Sequence, residues 1–377
     1  MECKYQQICG GCPLRGLSEK EYQNHKIKKF EQVTAKLCQT NTKQNPPVFI
    51  PDGCRRRAEM AFKYHKGNII LGFNVAQSHQ ISDVEYCLAL TEEINRFLPN
   101  LRCFLQNFCS IKQNKKIKNK LQVLSVTSGD VRITQADNGL DILLLIDVSP
   151  CLEHRMEISD FVSNSENIAR FSVSVNHAQP ETIAEKIKPF IKICGQEVLI
   201  PSGTFLQPSV AGQQALINTV MHHIGNASGN IADLFCGVGT FSYPLAQNIK
   251  NKITAADSSE ELLNGFQQTI NKLMIPNIKI ICRNLFKYPL DKDELKSFDI
   301  VVFDPPRAGA KAQVQQIATM SMADKPQKIV AISCNPYTFI NDAEMLICGG
   351  YRLSEITMID QFVYTEHFEL VALFEKN

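Results

Sequence analysis

Two groups of cysteines stand where their chemistry can be used. The first is a single residue. Ile332-Ser-Cys334-Asn-Pro336 follows an apolar run, Ile329–Ser333, that reads as a strand. A cysteine in the turn beyond a strand can present a thiolate, and thiolates attack carbon electrophiles. Asp304-Pro-Pro-Arg307 closes the strand one repeat earlier, so Arg307 is expected to reach the same cleft. A cation there would lower the thiol's pKa or hold a substrate carbonyl. The second group is Cys3-x5-Cys9-Gly-Gly-Cys12-Pro13, with Cys87 as the expected fourth member. Four thiolates suit either tetrahedral zinc or a [4Fe–4S] cluster. Zinc ribbons usually pair two C-x2-C knuckles, and only Cys9–Cys12 has that spacing, which favours iron–sulfur with zinc as runner-up. The cluster is expected to be structural. Cys38, Cys103, Cys109, Cys194, Cys282 and Cys348 sit singly among apolar neighbours and are expected in the core.

A cofactor site is expected beside Cys334. Asp233-Leu-Phe-Cys-Gly237-Val-Gly239-Thr240 lies between a strand and a helix, where glycines let a ligand approach the backbone. A dinucleotide fingerprint would need a third glycine at position 242, which is Ser242. Asp257 ends the next strand and can accept both ribose hydroxyls of an adenosine. Asn284 ends the third strand, placed for an adenine edge. Asp304 ends the fourth, beside the expected position of a sulfonium. A base is available in His367-Phe-Glu369, just before the apolar run Leu370–Phe374. Methylating an exocyclic amine needs no cysteine, because the nitrogen is already nucleophilic. Methylating C5 of a pyrimidine does: a thiolate adds to C6, C5 then attacks the methyl, and a base removes the C5 proton before elimination.

These residues need a scaffold. After Gly229 strand and helix patterns alternate, which implies an α/β unit with a parallel sheet. A helix is expected from Val210 to Ile224 after a break at Pro201-Ser202-Gly203. Residues 57–148 read as mostly antiparallel β, and 17–38 as an exposed amphipathic helix. Two domains are expected, 1–190 (α+β, mostly β) and 191–377. The hydrophobic fraction is 44% and the formal net charge only +2, so nucleic-acid affinity would have to come from local patches. Arg55-Arg56-Arg57 and the lysines at 112, 115, 116, 118 and 120 are two of them. No run of 18 apolar residues and no signal-peptide pattern is present, so a cytoplasmic protein without membrane contact is expected.

The blocks DLFCGVGTFSYPLA, FDPPRAG, ISCNP and HFELVALF resemble, in order, the signature blocks of the RNA uracil-C5 methyltransferase family. Phe205-Leu-Gln207-Pro-Ser resembles the family block in which a glutamine contacts the cofactor. The resemblance covers essentially the whole chain. It implies a Rossmann-like class I methyltransferase domain using S-adenosyl-L-methionine. Cys334 would be its nucleophile and Glu369 its base, with Gln207, Phe235, Asp257, Asp304, Asn284 and Thr240 at the cofactor. Asp257 departs from the glutamate many members carry. The resemblance also implies a [4Fe–4S] site at Cys3, Cys9, Cys12 and Cys87, pinning the N-terminal segment to the Cys87 loop and shaping an RNA surface. Because the chain begins at the cysteines, it resembles the shorter RlmC (RumB) type, which acts on uracil 747 of 23S rRNA; no protein partner is implied. The same motifs serve other 23S rRNA uridines and the tRNA T-loop. A non-catalytic RNA-binding iron–sulfur protein is the rival from another class, and an amine or protein methyltransferase a rival within the fold.

Overall fold

The computed structural model describes residues 2–38, 41–117 and 120–377, and for 115–117 and 120–122 the backbone alone. The chain forms two compact units. One comprises Leu17–Ile50, Lys192–Leu199 and Val210–Asn377; the other residues 1–16, Pro51–Ile191 and Ile200–Ser209. The division is therefore not a single cut near residue 190. Residues 17–50 fold with the C-terminal half because the Glu19–Thr34 helix buries Tyr22, Lys26, Phe30 and Thr34, a row at four-residue steps. Phe30 and Leu37 enter that unit's core. The helix expected to be exposed is thus half buried, and its row contains a charged residue that a hydrophobic pattern does not reveal.

In this unit the strands lie in the order Lys43–Gln44, Tyr351–Asp360, Glu369–Lys376, Lys328–Ser333, Ile300–Phe303, Asn230–Leu234, Lys252–Asp257, Ile278–Cys282. From Lys328–Ser333 to Ile278–Cys282 all neighbours are parallel. Glu369–Lys376 is antiparallel to both of its neighbours. Ile300–Phe303 is buried at every position, as a strand covered on both faces must be. Helices cross between the strands, among them Glu260–Leu273, Lys311–Ala318 and Pro336–Cys348. The Val210–Ile224 helix forms over the residues expected.

The other unit has a seven-stranded sheet in the order Glu181–Glu185, Ile168–Val175, Gly139–Ile146, Ser128–Ala136, Arg57–His65, Asn68–Asn74, Ile81–Asp83. Only Ile168–Val175 and Gly139–Ile146 pair in parallel. Two helices, Glu92–Ser110 and Leu152–Asn164, pack on the sheet and supply Ile94, Phe97, Leu101, Phe104 and Ile158 to its core. Pro99 lies inside the first of them, which runs through it without a break. Of the six single cysteines expected in the core, only Cys109 is buried; Cys103, Cys282 and Cys348 are exposed. Among the described residues no helix is long and apolar enough to cross a membrane.

Candidate active site

The cofactor-type residues expected on the C-terminal unit gather at the carboxyl ends of its parallel strands, where open α/β sheets hold ligands. Asn230–Leu234 leads into a tight turn with Phe235 at φ 61°, Gly237 at 55° and Gly239 at 89°. A Cβ on Gly239 would stand 2.5 Å from the Phe266 ring, whereas Gly237 faces open space. Left-handed Phe235 is strained, a condition that concentrates at functional sites. Its ring lies 5.4 Å from that of Phe286. Thr240 is half-buried in the same turn. Asp257 is pinned by two backbone donors, Gly237 N to Oδ2 at 3.0 Å and Ser259 N to Oδ1 at 2.9 Å. Each oxygen keeps a lone pair for a hydroxyl. Asn284 Oδ1 accepts from the amides of Phe286 and Lys287 at 3.1 and 3.2 Å, which fixes the side chain and leaves its NH2 out of the turn. The sequence reading missed Asp233. It is fully buried beneath the turn, accepts from Ser242 Oγ at 2.5 Å, and is pushed up to about 7 by burial, with Asp304 and Asp257 adding to the effect.

Cys334 and Glu369 are brought together by strand pairing. Lys328–Ser333 and Glu369–Lys376 run antiparallel with Ser333 opposite Leu370, so the next step sets Cys334 beside Glu369. The loop after Ile300–Phe303 is tied to the same corner. Asn335 Nδ2 donates to the Arg307 carbonyl at 2.9 Å, Thr338 Oγ1 donates to it at 3.3 Å, and Ala310 N donates to Asp342 at 2.8 Å. Asn335 also caps the Pro336–Cys348 helix through Tyr337 N. Asp304, Arg307, Cys334 and Glu369 therefore share one corner although 65 residues separate the first from the last.

The electrostatics correct one expectation. Burial, joined by the Glu369 and Asp304 carboxylates, pushes the Cys334 thiol up to about 12; Arg307 pulls it down but is outweighed. Glu369 is 4% exposed and is pushed up to about 8, first by burial and then by Asp304. Its Oε1 accepts from Gln361 Nε2 at 2.9 Å, while buried Oε2 has no hydrogen-bond partner. Nothing in the sequence marked Gln361, which reaches Glu369 only because the two flank the turn between antiparallel strands. An open groove of about 660 Å³ runs along the amino ends of the strands, lined by Asn230, Lys252 and Ile278 among others. It is remote from these strand ends.

The family model described as tRNA (uracil-5-)-methyltransferase matches residues 184–377. An RNA methyltransferase of Agrobacterium fabrum is 32% identical over 98% of this chain and 82% of its own length. The chain belongs to the tRNA (uracil-5-)-methyltransferase family. It is thus an S-adenosylmethionine-dependent RNA uracil-C5 methyltransferase. The 23S rRNA (uracil(1939)-C(5))-methyltransferase RlmD of Shewanella piezotolerans is 29% identical over 99% of this chain and 81% of its own length. The fold is that of the Pyrococcus abyssi tRNA (uracil-54, C5)-methyltransferase, solved with S-adenosyl-L-homocysteine. That structure has a TM-score of 0.68 and 22% identity, over 97% of this chain and 86% of its own.

The remaining expected residues of this uracil methyltransferase lie in its other unit. Gln207 is buried there. Arg56 Nε donates to the Gln207 carbonyl at 3.0 Å, Arg57 Nη1 donates to the Leu206 carbonyl at 2.7 Å, and Arg57 lies 4.5 Å from the Phe205 ring centroid. Arg56 is buried and Arg57 half-buried. Two of the three arginines read as phosphate contacts therefore brace the Phe205–Gln207 segment; Arg55 alone is exposed. In the lysine run Lys112 is exposed, while Lys118 and the side chains of Lys115, Lys116 and Lys120 lie outside the described residues.

Cys3, Cys9, Cys12 and Cys87 line one small pocket, with Arg15 beside them. The buried Asn95 holds the Cys87 backbone from both sides, accepting from its N–H at 2.8 Å and donating to its carbonyl at 3.0 Å. Gly10 packs so close to Ala76 that a Cβ would meet its Cα at 3.0 Å. Among the described residues, no three His, Cys, Asp or Glu side chains are drawn together tightly enough to hold one metal ion.

Proposed function

We propose that this enzyme forms 5-methyluridine in 23S rRNA, with Cys334 as nucleophile and Glu369 as proton-abstracting base. The observation that carries this reading is the strand register setting Cys334 beside Glu369. Cys334 gives up its proton to solvent, and the thiolate sulfur bonds to C6 of a uracil flipped out of the RNA. C5 becomes enolate-like and takes the methyl group from the sulfonium. Glu369 then removes the C5 proton, the C6–S bond breaks, and Cys334 leaves as thiolate. Phe235, Asp257, Asn284 and Thr240 would hold S-adenosylmethionine, with Asp304 on the side of its sulfonium. Bound there, that positive charge would offset the Asp304 carboxylate, which raises both reacting groups, and would pull the pKa of each down.

The relative named for 23S rRNA supports that RNA. The proposed target is the position equivalent to uracil 747, and the Shewanella relative makes the position equivalent to uracil 1939 the second reading. Cys3, Cys9, Cys12 and Cys87 would hold a [4Fe–4S] cluster. All four thiols line one small pocket, as the ligands of one metal centre must. A four-iron cube takes one thiolate at each corner, which four cysteines supply. When bound, the cluster supplies cross-linking between the N-terminal loop and the Cys87 loop; the methyl transfer needs no electron from it.

The test is methylation of a 23S rRNA transcript and of a tRNA transcript with labelled S-adenosylmethionine, followed by mapping of the product. Wild type should yield 5-methyluridine at one site. Cys334→Ser should bind the cofactor and fail to turn over, and Glu369→Gln should accumulate a covalent RNA–protein adduct. Full activity in Cys334→Ser would refute the covalent mechanism, and labelling of tRNA alone would refute the substrate.

A further inference from the structure

One face of the Glu19–Thr34 helix grips the loop that leads into Glu369, and it does so at nearly every step. Lys26 is fully buried. Its ammonium donates to Asp360 Oδ1 at 2.7 Å and to the His367 carbonyl. The Tyr22 hydroxyl donates to the other Asp360 oxygen and accepts from Tyr364 N at 3.0 Å. Lys29 donates to the Glu366 carbonyl at 3.0 Å and to its carboxylate at 2.6 Å. Phe30 meets Phe368 edge-on at 6.4 Å. Tyr22, Lys26 and Phe30 are four residues apart, so they stand in one row.

The gripped loop is the connection between Tyr351–Asp360 and Glu369–Lys376. Asp360 ends the first strand and Gln361, next to it, holds Glu369. His367 and Phe368 lead directly into Glu369. Tyr364, held by Tyr22, is left-handed at φ 57°, a conformation a loop keeps only when its surroundings impose it. A lysine and an aspartate at 0% and 1% exposure are an expensive way to fasten two elements, since removing both from water is costly. The pair has a geometric use here. It fixes both ends of an eight-residue turn whose two flanks carry Gln361 and Glu369.

We propose that Lys26 is a positioning residue for the base: through Asp360 and the His367 carbonyl it sets the turn that aims Glu369 at C5. The proposal rests on Glu369 being the base. Misplacing the base should slow only the last stage, because addition of Cys334 and methyl transfer come before it. Lys26→Met keeps the stem and removes the charge. Lys26→Met/Asp360→Asn also removes the aspartate left buried alone, so it should lose less stability than the single variant.

The assay uses a 23S rRNA transcript made with uridine, and a second made with 5-fluorouridine, whose C5 fluorine cannot be removed as a proton is. With the uridine transcript both variants should lose about tenfold to a hundredfold in kcat, with KM little changed. They should also accumulate the covalent adduct on denaturing gels. With the fluorinated transcript they should form adduct at the wild-type rate. A role confined to stability would lower the yield of folded protein without trapping adduct. Folded double variant that turns over at the wild-type rate, or that forms adduct slowly on fluorinated RNA, would overturn the proposal. Glu369→Gln is the reference: if it traps no adduct, the assignment of the base fails first, and with it this inference.

Discussion

Glu369→Gln should make the protein more stable in alkaline solution, by an amount the structure lets one work out. The carboxyl is buried and sits at about 8 in the fold, against an ordinary 4.5. A raised pKa means that the folded state prefers the protonated form. The associated stability is complete below 4.5 and is lost as pH rises through 8. At about 1.36 kcal/mol per tenfold change in proton affinity, wild type should lose roughly 2–3 kcal/mol between pH 6 and pH 9 from this group alone. The amide has no charge to bury and shows no such loss. The other titrating groups are common to both proteins, and Cys334, which Glu369 raises, sits at about 12, above this range. Thermal unfolding of the two proteins across that range is the assay, at about 2–4 °C per kcal/mol for a unit of this size. The gap in favour of the variant should widen with pH. A gap that stays constant, or narrows, would refute the claim that the carboxyl is held protonated by burial.

Gly239→Ala should cost about 2–4 kcal/mol, because its backbone is left-handed and its Cβ would strike Phe266. A variant melting with wild type by calorimetry would show that the turn can shift. Protein purified without oxygen should carry about four irons and four sulfides per chain, and Cys87→Ser should lose them while exposing residues 3–15 to protease. Zinc in place of iron would refute the cluster.

The strand–helix alternation after Gly229 was legible because parallel strands covered on both faces must be apolar throughout, as Ile300–Phe303 is. The ends of those strands were legible for a related reason. Chemistry-bearing residues placed just past an apolar run, such as Asp304 and Cys334, can only lie at the sheet's carboxyl edge. Residue types and spacing also announced the two glycines of the turn and the four-cysteine pocket. The Leu152–Asn164 helix was not legible, since its buried residues are only His154, Ile158 and Val162, whereas Glu92–Ser110 shows a regular apolar face, Ile94, Leu98, Leu101, Leu105 and Phe108, against which only Pro99 speaks.

Tertiary structure alone decided the rest. Arg56 and Arg57 read as cations for phosphate, yet the fold turns them onto the carbonyls of Gln207 and Leu206. Cys334 read as a thiol activated by Arg307, yet burial and two carboxylates outweigh that one cation. Lys26 read as one charge on a solvated helix, yet it is sealed against Asp360. In each case the side chain's identity was plain and its surroundings were not. A sequence lists donors, acceptors and charges. Desolvation and the partner across a long loop exist only once the chain has closed, and for ionic groups those two terms are the largest.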